Sequence, residues 1–318
     1  MSKKLISIVV PCYNEEPTLP ILYKELNRVT AQMPDYDFEY LFVNDGSKDK
    51  TLVMLQEMAT KDERVKYVSF SRNFGKEPAL YAGLKNAKGD LVATMDADMQ
   101  DPPALLPELV GYVESGEYDN AGTRRVTRKG EPVIRSLFAR TFYKMMRHMT
   151  DIDIVDGARD YRVMSRAMVD SIVSLQEYNR FSKGIFAWVG YETKWVEFEN
   201  VERSAGETKW SFWKLLRYSV EGIISFSNTP IHMASYMGMG LTALSALALI
   251  FVIVRALIFG DEVAGWPSLV CIITFLGGVQ LFVMGVMGQY ISKTYMEVKH
   301  RPHYIIKDTN CEDVELNV

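Results

Sequence analysis

The first part of the chain alternates between short apolar stretches rich in β-branched residues and stretches with helical spacing. The four strand-like stretches are LISIVVP (5–11), YLFVNDGS (40–47), VKYVSFS (65–71) and LVATMDAD (91–98). A helical pattern runs from Pro17 to Gln32, and another begins near Glu77. This alternation predicts βαβ units and a mainly parallel, doubly wound α/β sheet of Rossmann-like type.

Two long apolar segments follow near the C-terminus. From Met233 to Gly260 the only charged residue is Arg255, and from Ala264 to Ser292 there is none. Each segment exceeds the ~20 residues that span a bilayer, and neither has a wide polar face. We therefore predict two transmembrane helices; two buried helices of a soluble core are the alternative. The predicted bounds are 233–259 and 266–291.

A shorter stretch just before these segments has large apolar residues at helical spacing, with Lys214, Arg217 and Glu221 set apart from them. This pattern predicts a helix lying in the membrane interface, with an ordinary domain helix as the alternative. The predicted organisation is a cytosolic α/β domain (1–209), an interface helix (210–230), the transmembrane pair (231–292) and a cytosolic C-terminal tail (293–318).

The distribution of charge predicts the orientation in the membrane. Asp261 and Glu262 lie between the two apolar segments, whereas basic residues flank the pair on the other side: Lys209, Lys214, Arg217, Lys293, Lys299 and Arg301. By the positive-inside rule both termini face the cytoplasm. The chain is thus predicted to be a multi-pass protein of the inner (plasma) membrane.

Bulk composition adds two exclusions. The chain is 48% apolar and 24% charged, an ordinary globular balance. A net charge of −4, without a basic tract interleaved with aromatic residues, gives no case for nucleic acid. Cys12, Cys271 and Cys311 are spaced neither as metal ligands nor as a disulfide framework, which fits a cytosolic domain.

The densest candidate chemistry follows the fourth strand. Asp96, Asp98 and Asp101 fall within TMDADMQDPP (94–103). Carboxylates this close repel one another unless a cation lies among them. Hard oxygen ligands suit Mg²⁺ or Mn²⁺, which take one or two protein carboxylates and complete their shell with water and substrate phosphates. We therefore predict a divalent cation and a diphosphate-bearing substrate. A solvated loop is the alternative, in which Asp101 in particular caps the next helix.

Other polar side chains follow the predicted strands. In doubly wound sheets, ligands bind beyond the carboxyl ends of the strands. The residues predicted to share that crevice are Asn14, Glu15, Asp45, Arg72, Asn73, Asp96 and Asp98. A basic tract (123–140) is the densest positive region of the chain, and its arginines suit phosphate oxygens. A basic face attracted to anionic lipids is the alternative.

Several motifs, in this order, resemble the family 2 glycosyltransferases that move a sugar from a nucleotide diphosphate to a polyprenyl phosphate. They are VVPCYNE (9–15), VNDGSKDKT (43–51), RNFGKEPALYAGL (72–84), DADMQDPP (96–103), DGARDYRVMSR (156–166) and ERSAGETKWSFWKLL (202–216). With the paired C-terminal spans, the resemblance covers about residues 5–307. It is closest to bactoprenol-phosphate glucosyltransferases and looser to dolichol-phosphate mannose synthases.

The resemblance implies a GT-A type fold for the catalytic domain, a divalent cation and inversion at the anomeric carbon. By position, Asp98 and Gln100, with Asp96, would hold the metal. The implied nucleotide-sugar residues are Pro11, Tyr13 and Glu15 at the base, Asp45 at the uridine, Asp96 at the ribose and diphosphate, and also Lys76, Arg203 and Lys209. The implied acceptor-phosphate residues are Arg124, Arg128 and Arg135. Arg203 and Lys209 lie in a glycine-containing segment suited to neutralising the leaving diphosphate.

Asp160 matches the position often proposed as the catalytic base. A phosphate acceptor needs no base, because its second pKa is ~6 and it is already largely dianionic at neutral pH. We therefore predict that Asp160 orients the sugar or the cations Arg159 and Arg162. Two departures from the family pattern are NDGS, where many relatives have DDGS, and ARDYR in place of the commoner GDFR. The roles of Asn44 and Arg159 are thus open.

These features together predict transfer of a hexose, glucose in the first instance, from a UDP-sugar to undecaprenyl phosphate for cell-surface glycan, cell-wall or lipopolysaccharide modification. UDP-N-acetylglucosamine, GDP-mannose and modified arabinose remain alternative donors, and a non-catalytic membrane partner is the alternative of another class. A processive polysaccharide synthase is disfavoured because the chain has no QxxRW motif. Small residues along 238–248 and 277–288 predict close helix packing and a homo-oligomer, taken as a homotetramer.

Overall fold

The computed structural model describes residues 3–126, 155, 157–199, 227, 229–259 and 265–312. Several predicted features lie outside these ranges: Arg128, Arg135, Arg203, Lys209 and nearly all of the predicted interface helix (210–230).

The first part of the chain folds as the predicted alternation of strands and helices. Its elements are β1 (Lys4–Cys12), α1 (Leu19–Thr30), β2 (Tyr36–Asn44), α2 (Thr51–Lys61), β3 (Val65–Phe70), α3 (Lys76–Asn86) and β4 (Leu91–Thr94). Strand β1 pairs in parallel with β2 and β4, and β2 pairs in parallel with β3. All four predicted strands are confirmed. The fourth ends earlier than predicted, so Asp96 and Asp98 lie in the loop beyond it.

The second part extends the same sheet with antiparallel pairings. A 3₁₀ turn (Pro103–Leu105) is followed by α4 (Leu106–Glu114), β5 (Asn120–Arg125), β6 (Ala158–Ser165), α5 (Arg166–Ser174), α6 (Ser182–Trp188) and β7 (Thr193–Phe198). Strand β6 runs antiparallel to both β4 and β5, while β7 is parallel to β5. Apolar clusters cover both faces of the sheet, which is why its central strands are almost wholly apolar.

Two long helices follow, α7 (Thr229–Phe259) and α8 (Trp266–Val298). Within the described part of the chain, one stretch is long and apolar enough to cross a membrane, Phe275–Val298 in α8. A single candidate span is therefore supported, and the predicted pair is not confirmed. Helix α8 also continues past the predicted end of the second span at residue 291.

The chain after α8 returns to the sheet, which the sequence did not predict. Strand β8 (Ile306–Thr309) pairs antiparallel with the edge strand β3 and completes the order β7-β5-β6-β4-β1-β2-β3-β8. The Tyr304 ring stacks on Phe70 with 4.8 Å between centroids. Glu297 Oε1, at the end of α8, accepts a 2.8 Å hydrogen bond from the Tyr178 backbone N–H. The C-terminal segment is thus part of the α/β domain and ties α8 to it.

Tyr304→Ala is expected to lower the free energy of unfolding by about 3 kcal/mol, because it removes a large ring from a packed site. Tyr304 is 8% exposed, whereas the control residue Tyr295 in α8 is 58% exposed. Urea unfolding of the full chain in detergent, followed by circular dichroism, measures the difference. Equal midpoints for Tyr304→Ala and Tyr295→Ala would show that the C-terminal segment does not stabilise the sheet.

Candidate active site

Many of the predicted site residues lie together at the carboxyl ends of the parallel strands, which we call the carboxyl edge of the sheet. The carboxyl ends of the parallel strands β1, β2 and β4 open on this edge. Strand β6 runs the other way beside β4, with Thr94 opposite Arg162, so the start of β6 reaches the same edge. Thr94 Oγ1 donates a 2.5 Å hydrogen bond to the Asp160 carbonyl oxygen. The topology therefore brings Asp160 next to Asp96, as a ligand crevice at the strand ends requires.

Lys76 joins the two sides of this edge. Its Nζ lies 2.6 Å from Asp96 Oδ1 and 2.5 Å from Asp160 Oδ2. Burial lowers the pKa of Lys76, but the charges of Asp160 and Asp96 outweigh burial and hold that pKa above its ordinary value. Burial raises the pKa of Asp160, but Lys76 and Lys183 outweigh it and hold that pKa well below its ordinary value. Lys76 and Asp160 are therefore both charged at neutral pH.

Asp45 stabilises the loop that precedes Lys76 at the start of α3. Its buried carboxylate accepts hydrogen bonds from Asn73 Nδ2 (2.9 Å) and from the backbone N–H groups of Phe74 (2.6 Å) and Gly75 (2.9 Å). Burial raises the pKa of Asp45, and the two backbone hydrogen bonds work against that rise. The predicted contact between Asp45 and uridine stays a prediction, and its role in the structure is to hold the loop before α3.

The glycine of the NDGS motif, Gly46, is required by the backbone conformation and the close packing of its turn. It has a positive φ of 61°, and a Cβ there would lie 2.3 Å from the Arg72 carbonyl carbon. The turn after β2 therefore packs directly against the loop after β3. Asn44, which replaces the commoner aspartate, donates from Nδ2 to Ser69 Oγ at 2.9 Å inside the sheet. Its role here is a buried hydrogen bond between neighbouring strands.

The predicted base-pocket segment is tied to the same turn. Asn14 Oδ1 accepts a 2.8 Å hydrogen bond from the Lys48 backbone N–H. The Glu15 backbone N–H donates to Thr51 Oγ1 at 2.9 Å, and Glu15 Oε2 accepts from Thr18 Oγ1 at 2.5 Å. Pro11 lies in β1 opposite Val43, and Tyr13 is half-buried beyond it. These residues lie at the carboxyl ends of β1 and β2, and their contact with a base stays a prediction.

The loop after β4 exposes its polar side chains more than most of its apolar ones. Met95 and Ala97 are buried, whereas Asp96, Asp98 and Gln100 are half-buried. Asp98 Oδ1 accepts a 3.1 Å hydrogen bond from the Gln100 backbone N–H. No three His, Cys, Asp or Glu side chains cluster as a metal site among the residues described. The donor set nevertheless fits Mg²⁺ or Mn²⁺, because these ions take one or two protein carboxylates and leave positions for substrate phosphates.

Asp101 does not cap the next helix, and that part of the prediction is wrong. The following 3₁₀ turn has no side-chain cap. Instead Asp101 Oδ1 accepts a 2.7 Å hydrogen bond from Arg159 Nε. Burial raises the pKa of Asp101 to about 6, against the opposing charge of Arg159. The unusual arginine of the ARDYR segment therefore has a specific partner in the carboxylate loop.

Three further side chains lie near Asp160; Arg162 was predicted as its neighbour, whereas Lys183 and Glu77 were not. Lys183 Nζ donates to the Ala158 carbonyl oxygen at 3.0 Å and contributes to the low pKa of Asp160. Arg162 is buried with its guanidinium carbon 3.9 Å from the centre of the Phe186 ring. Glu77, beside Lys76, accepts a 2.9 Å hydrogen bond from the Ser182 backbone N–H. Helix α6 carries no motif, so no local signal could have placed it here.

Of the three predicted acceptor-phosphate residues, the structure describes Arg124. It lies at the end of β5, with its Nη1 3.7 Å from Glu197 Oε1. Both side chains are substantially exposed, so a pair of this kind contributes little stability. In the pairing of β5 with β6, Arg124 lies opposite Ala158, two residues before Asp160 along the chain. Its role at a phosphate stays a prediction.

Comparison with known proteins decides the family. The profile of glycosyl transferase family 2 matches residues 7–173, more than half of the 318-residue chain. This chain belongs to glycosyl transferase family 2. The predicted resemblance and the GT-A-like α/β sheet are thereby confirmed.

Within family 2, the chain is 43% identical to the bactoprenol glucosyl transferase of Shigella phage SfV, covering 95% of this chain and 98% of that one. It is 42% identical to the prophage bactoprenol glucosyl transferase homolog of Escherichia coli (strain K12), again over 95% and 98% of the two chains. Among solved structures, the chain is similar to glucosyl-3-phosphoglycerate synthase from Mycobacterium tuberculosis in complex with Mn²⁺, UDP-glucose and phosphoglyceric acid. The match covers 70% of this chain and 78% of the synthase chain, with 21% sequence identity and a TM-score of 0.49.

Proposed function

We propose that this protein transfers a hexose, with glucose as the first candidate, from a UDP-sugar to a polyprenyl phosphate such as undecaprenyl phosphate, with inversion at the anomeric carbon. The similarity to bactoprenol glucosyl transferases over nearly the whole chain carries the proposal. The convergence of Lys76, Asp96 and Asp160 at the carboxyl edge of the sheet supports it, because a donor bound there would meet charged groups on both sides.

The donor diphosphate would lie beside the loop after β4. Asp98 and Gln100, with Asp96, would hold a divalent cation, Mg²⁺ or Mn²⁺, which offsets the negative charge that develops on the leaving diphosphate. Lys76 places a positive charge between Asp96 and Asp160, and its side chain is 44% exposed, so a ligand can reach it. The Lys76 ammonium can therefore donate a hydrogen bond to the nucleotide sugar while its ion pairs with the two carboxylates remain.

The acceptor phosphate would attack the anomeric carbon as a dianion. Its second pKa of ~6 removes the need for a base at neutral pH. Asp160 keeps its negative charge because Lys76 and Lys183 hold its pKa low. It is therefore suited to stabilise the positive charge that develops at the anomeric carbon. Arg124, Arg128 and Arg135 remain the proposed partners of the acceptor phosphate.

The membrane placement completes the proposal. The span Phe275–Val298 and its neighbour α7 expose large apolar side chains that suit lipid contact, including Leu247 (66%), Phe251 (66%) and Leu281 (71%). We propose that α7 and α8 form a two-helix hairpin with both termini in the cytoplasm, preceded by the interface helix. The hairpin would place the site at the cytoplasmic face of the inner membrane. Homo-oligomer formation, as a homotetramer, stays a prediction.

One assay tests the proposed reaction directly. The full chain in detergent or nanodiscs is incubated with undecaprenyl phosphate, Mg²⁺ or Mn²⁺, and each of UDP-glucose, UDP-N-acetylglucosamine, GDP-mannose and a modified arabinose donor. We expect lipid-linked glucose from UDP-glucose. Product from another donor would correct the sugar alone. Absence of product from every donor, with folded protein, would favour the non-catalytic membrane partner.

Arg135→Lys is expected to raise the apparent KM for polyprenyl phosphate by about tenfold, the loss of roughly one charge-assisted hydrogen bond. The KM for the sugar donor should stay within about twofold, because charge is kept and only bidentate geometry is lost. Arg28→Lys is the matched control, since Arg28 is an exposed arginine of α1 paired with Glu25. An unchanged KM for the lipid in Arg135→Lys would remove Arg135 from the acceptor site.

A further inference from the structure

A buried ion pair joins the carboxylate loop to strand β6. Asp101 immediately follows Gln100, and Arg159 immediately precedes Asp160. Arg159 Nε lies 2.7 Å from Asp101 Oδ1, and the two side chains are 22% and 0% exposed. The pair thus connects the predicted metal-binding loop with strand β6, which carries Asp160 on the other side of the crevice.

The loop is held at both ends. Before it, the Met95 backbone N–H donates to the Val9 carbonyl oxygen at 3.1 Å, which fixes the end of β4 against β1. After it, Asp101 is fixed by Arg159, and Tyr161 Oη donates to the Pro103 carbonyl oxygen at 3.3 Å. The two anchors on β6, Arg159 and Tyr161, lie on the same side of that strand. Residues 96–100 therefore bridge two fixed points, one on β1 and one on β6.

Stability alone is a poor explanation for this pair. Removing two charges from water is costly, and apolar residues of similar size are often as stable or more stable at such positions. The charge pair gives something that apolar contact does not, namely a directional contact at one distance between two defined atoms. Its location, one residue from Gln100 and one residue from Asp160, is where directional placement affects chemistry most.

We propose that Asp101 and Arg159 are positioning residues that set the carboxylate loop relative to Asp160. Asp101 acts through Asp98 and Gln100 on the cation and the donor diphosphate, and Arg159 acts by fixing the start of β6 beside that loop. Neither side chain touches substrate. The inference rests on the proposed function for its substrates, but its central claim concerns how the loop holds a divalent cation.

Mn²⁺ binding tests this claim without turnover. Free Mn²⁺ is measured by electron paramagnetic resonance during titration of the full chain in detergent with UDP present. Asp101→Asn should weaken Mn²⁺ binding by about tenfold, since outer-shell substitutions typically cost 10–100-fold in affinity or activity. The kcat for sugar transfer should fall by a similar factor, while the KM for the lipid should stay within about twofold, because the pair acts on the cation and the donor diphosphate rather than on the acceptor phosphate.

Two further variants keep the test decisive. Asp62→Asn removes another Asp–Arg pair, more exposed than the first, whose partner Arg64 lies 2.7 Å away just before the start of β3. It should lower the melting temperature but leave Mn²⁺ affinity unchanged. Arg159→Lys keeps the charge and the fold but loses the Nε contact to Asp101, so Mn²⁺ binding should weaken by about threefold, part of the outer-shell effect.

The outcomes separate the two proposals. If Asp101→Asn folds and binds Mn²⁺ as the wild type does, the pair is structural only and the inference is overturned. If Asp101→Asn does not fold, wild-type Mn²⁺ affinity in Arg159→Lys overturns it equally. Failure of the wild type to bind Mn²⁺ with UDP also overturns it. Normal Mn²⁺ binding without transfer to polyprenyl phosphate refutes the proposed function and leaves the positioning inference standing.

Discussion

Asp98→Asn should reduce kcat by about 10³-fold, the effect expected when one group that stabilises developing charge is removed. The predicted donor set contains the carboxylates of Asp96 and Asp98 and the amide of Gln100. Asp96 forms an ion pair with Lys76, and Asp98 is the carboxylate that we propose as a ligand of the cation together with Gln100. The amide of asparagine keeps the shape of the side chain and loses its charge. The measurement is steady-state transfer from UDP-glucose to undecaprenyl phosphate.

Asp170→Asn is the control for this substitution. Asp170 lies on α5, is paired with Arg166 at 2.9 Å and has a side chain that is 67% exposed, so its replacement should leave kcat unchanged. Circular dichroism and melting temperatures should match the wild type for both variants. Wild-type transfer that survives exhaustive chelation would contradict a metal role for Asp98.

The edge where the site forms could be predicted because its residues follow strands with clear local patterns. Asp45 follows β2 and Asp96 follows β4, and both were predicted from a few neighbouring residues and from the rule that ligands bind beyond the carboxyl ends of parallel strands. Lys76, at the start of α3, was implied only by the family resemblance. Apolar runs of this kind are strong signals because the strands are buried on both faces.

The partner of Arg159 could not be predicted in the same way. Arg159 and Asp101 are 58 residues apart, and they meet because β6 pairs antiparallel with β4 in one register. In the sequence, Arg159 departs from the family pattern. This departure indicated a specific contact but did not identify the partner residue. Asp101 carried an adequate local explanation as a helix cap, and that explanation concealed the long-range pair.

The last strand escaped prediction for a related reason. Ile306–Thr309 is only IKDT, too short and too polar to signal a strand by itself. It forms because the edge of β3 offers unpaired backbone groups and because Tyr304 and Ile306 fill apolar space against Phe70 and its neighbours. Its partner strand β3 (Val65–Phe70) lies far earlier in the sequence. Only the folded topology makes that edge available.

Asp160→Asn should lower kcat by about 10²–10⁴-fold, the range associated with a side chain acting on the transition state. The substitution keeps a hydrogen-bonding group near Lys76 and removes the negative charge that we propose to act on the anomeric carbon. The same structure argues against a general base. Lys76 and Lys183 outweigh burial and hold the pKa of Asp160 well below its ordinary value, far from the operating pH that favours proton abstraction.

The pH dependence of kcat/KM for polyprenyl phosphate distinguishes the two roles of Asp160. The acceptor is the reactive dianion above its second pKa of ~6, so the rate should fall as pH drops through that value. Asp160 remains ionised throughout this range because its own pKa lies far lower, and it contributes nothing to the acidic limb. Asp160→Asn should therefore lower the whole profile and keep the limb near the same pH. Loss of the limb in Asp160→Asn, with the titration of the lipid phosphate unchanged, would instead identify Asp160 as the base that accepts a proton.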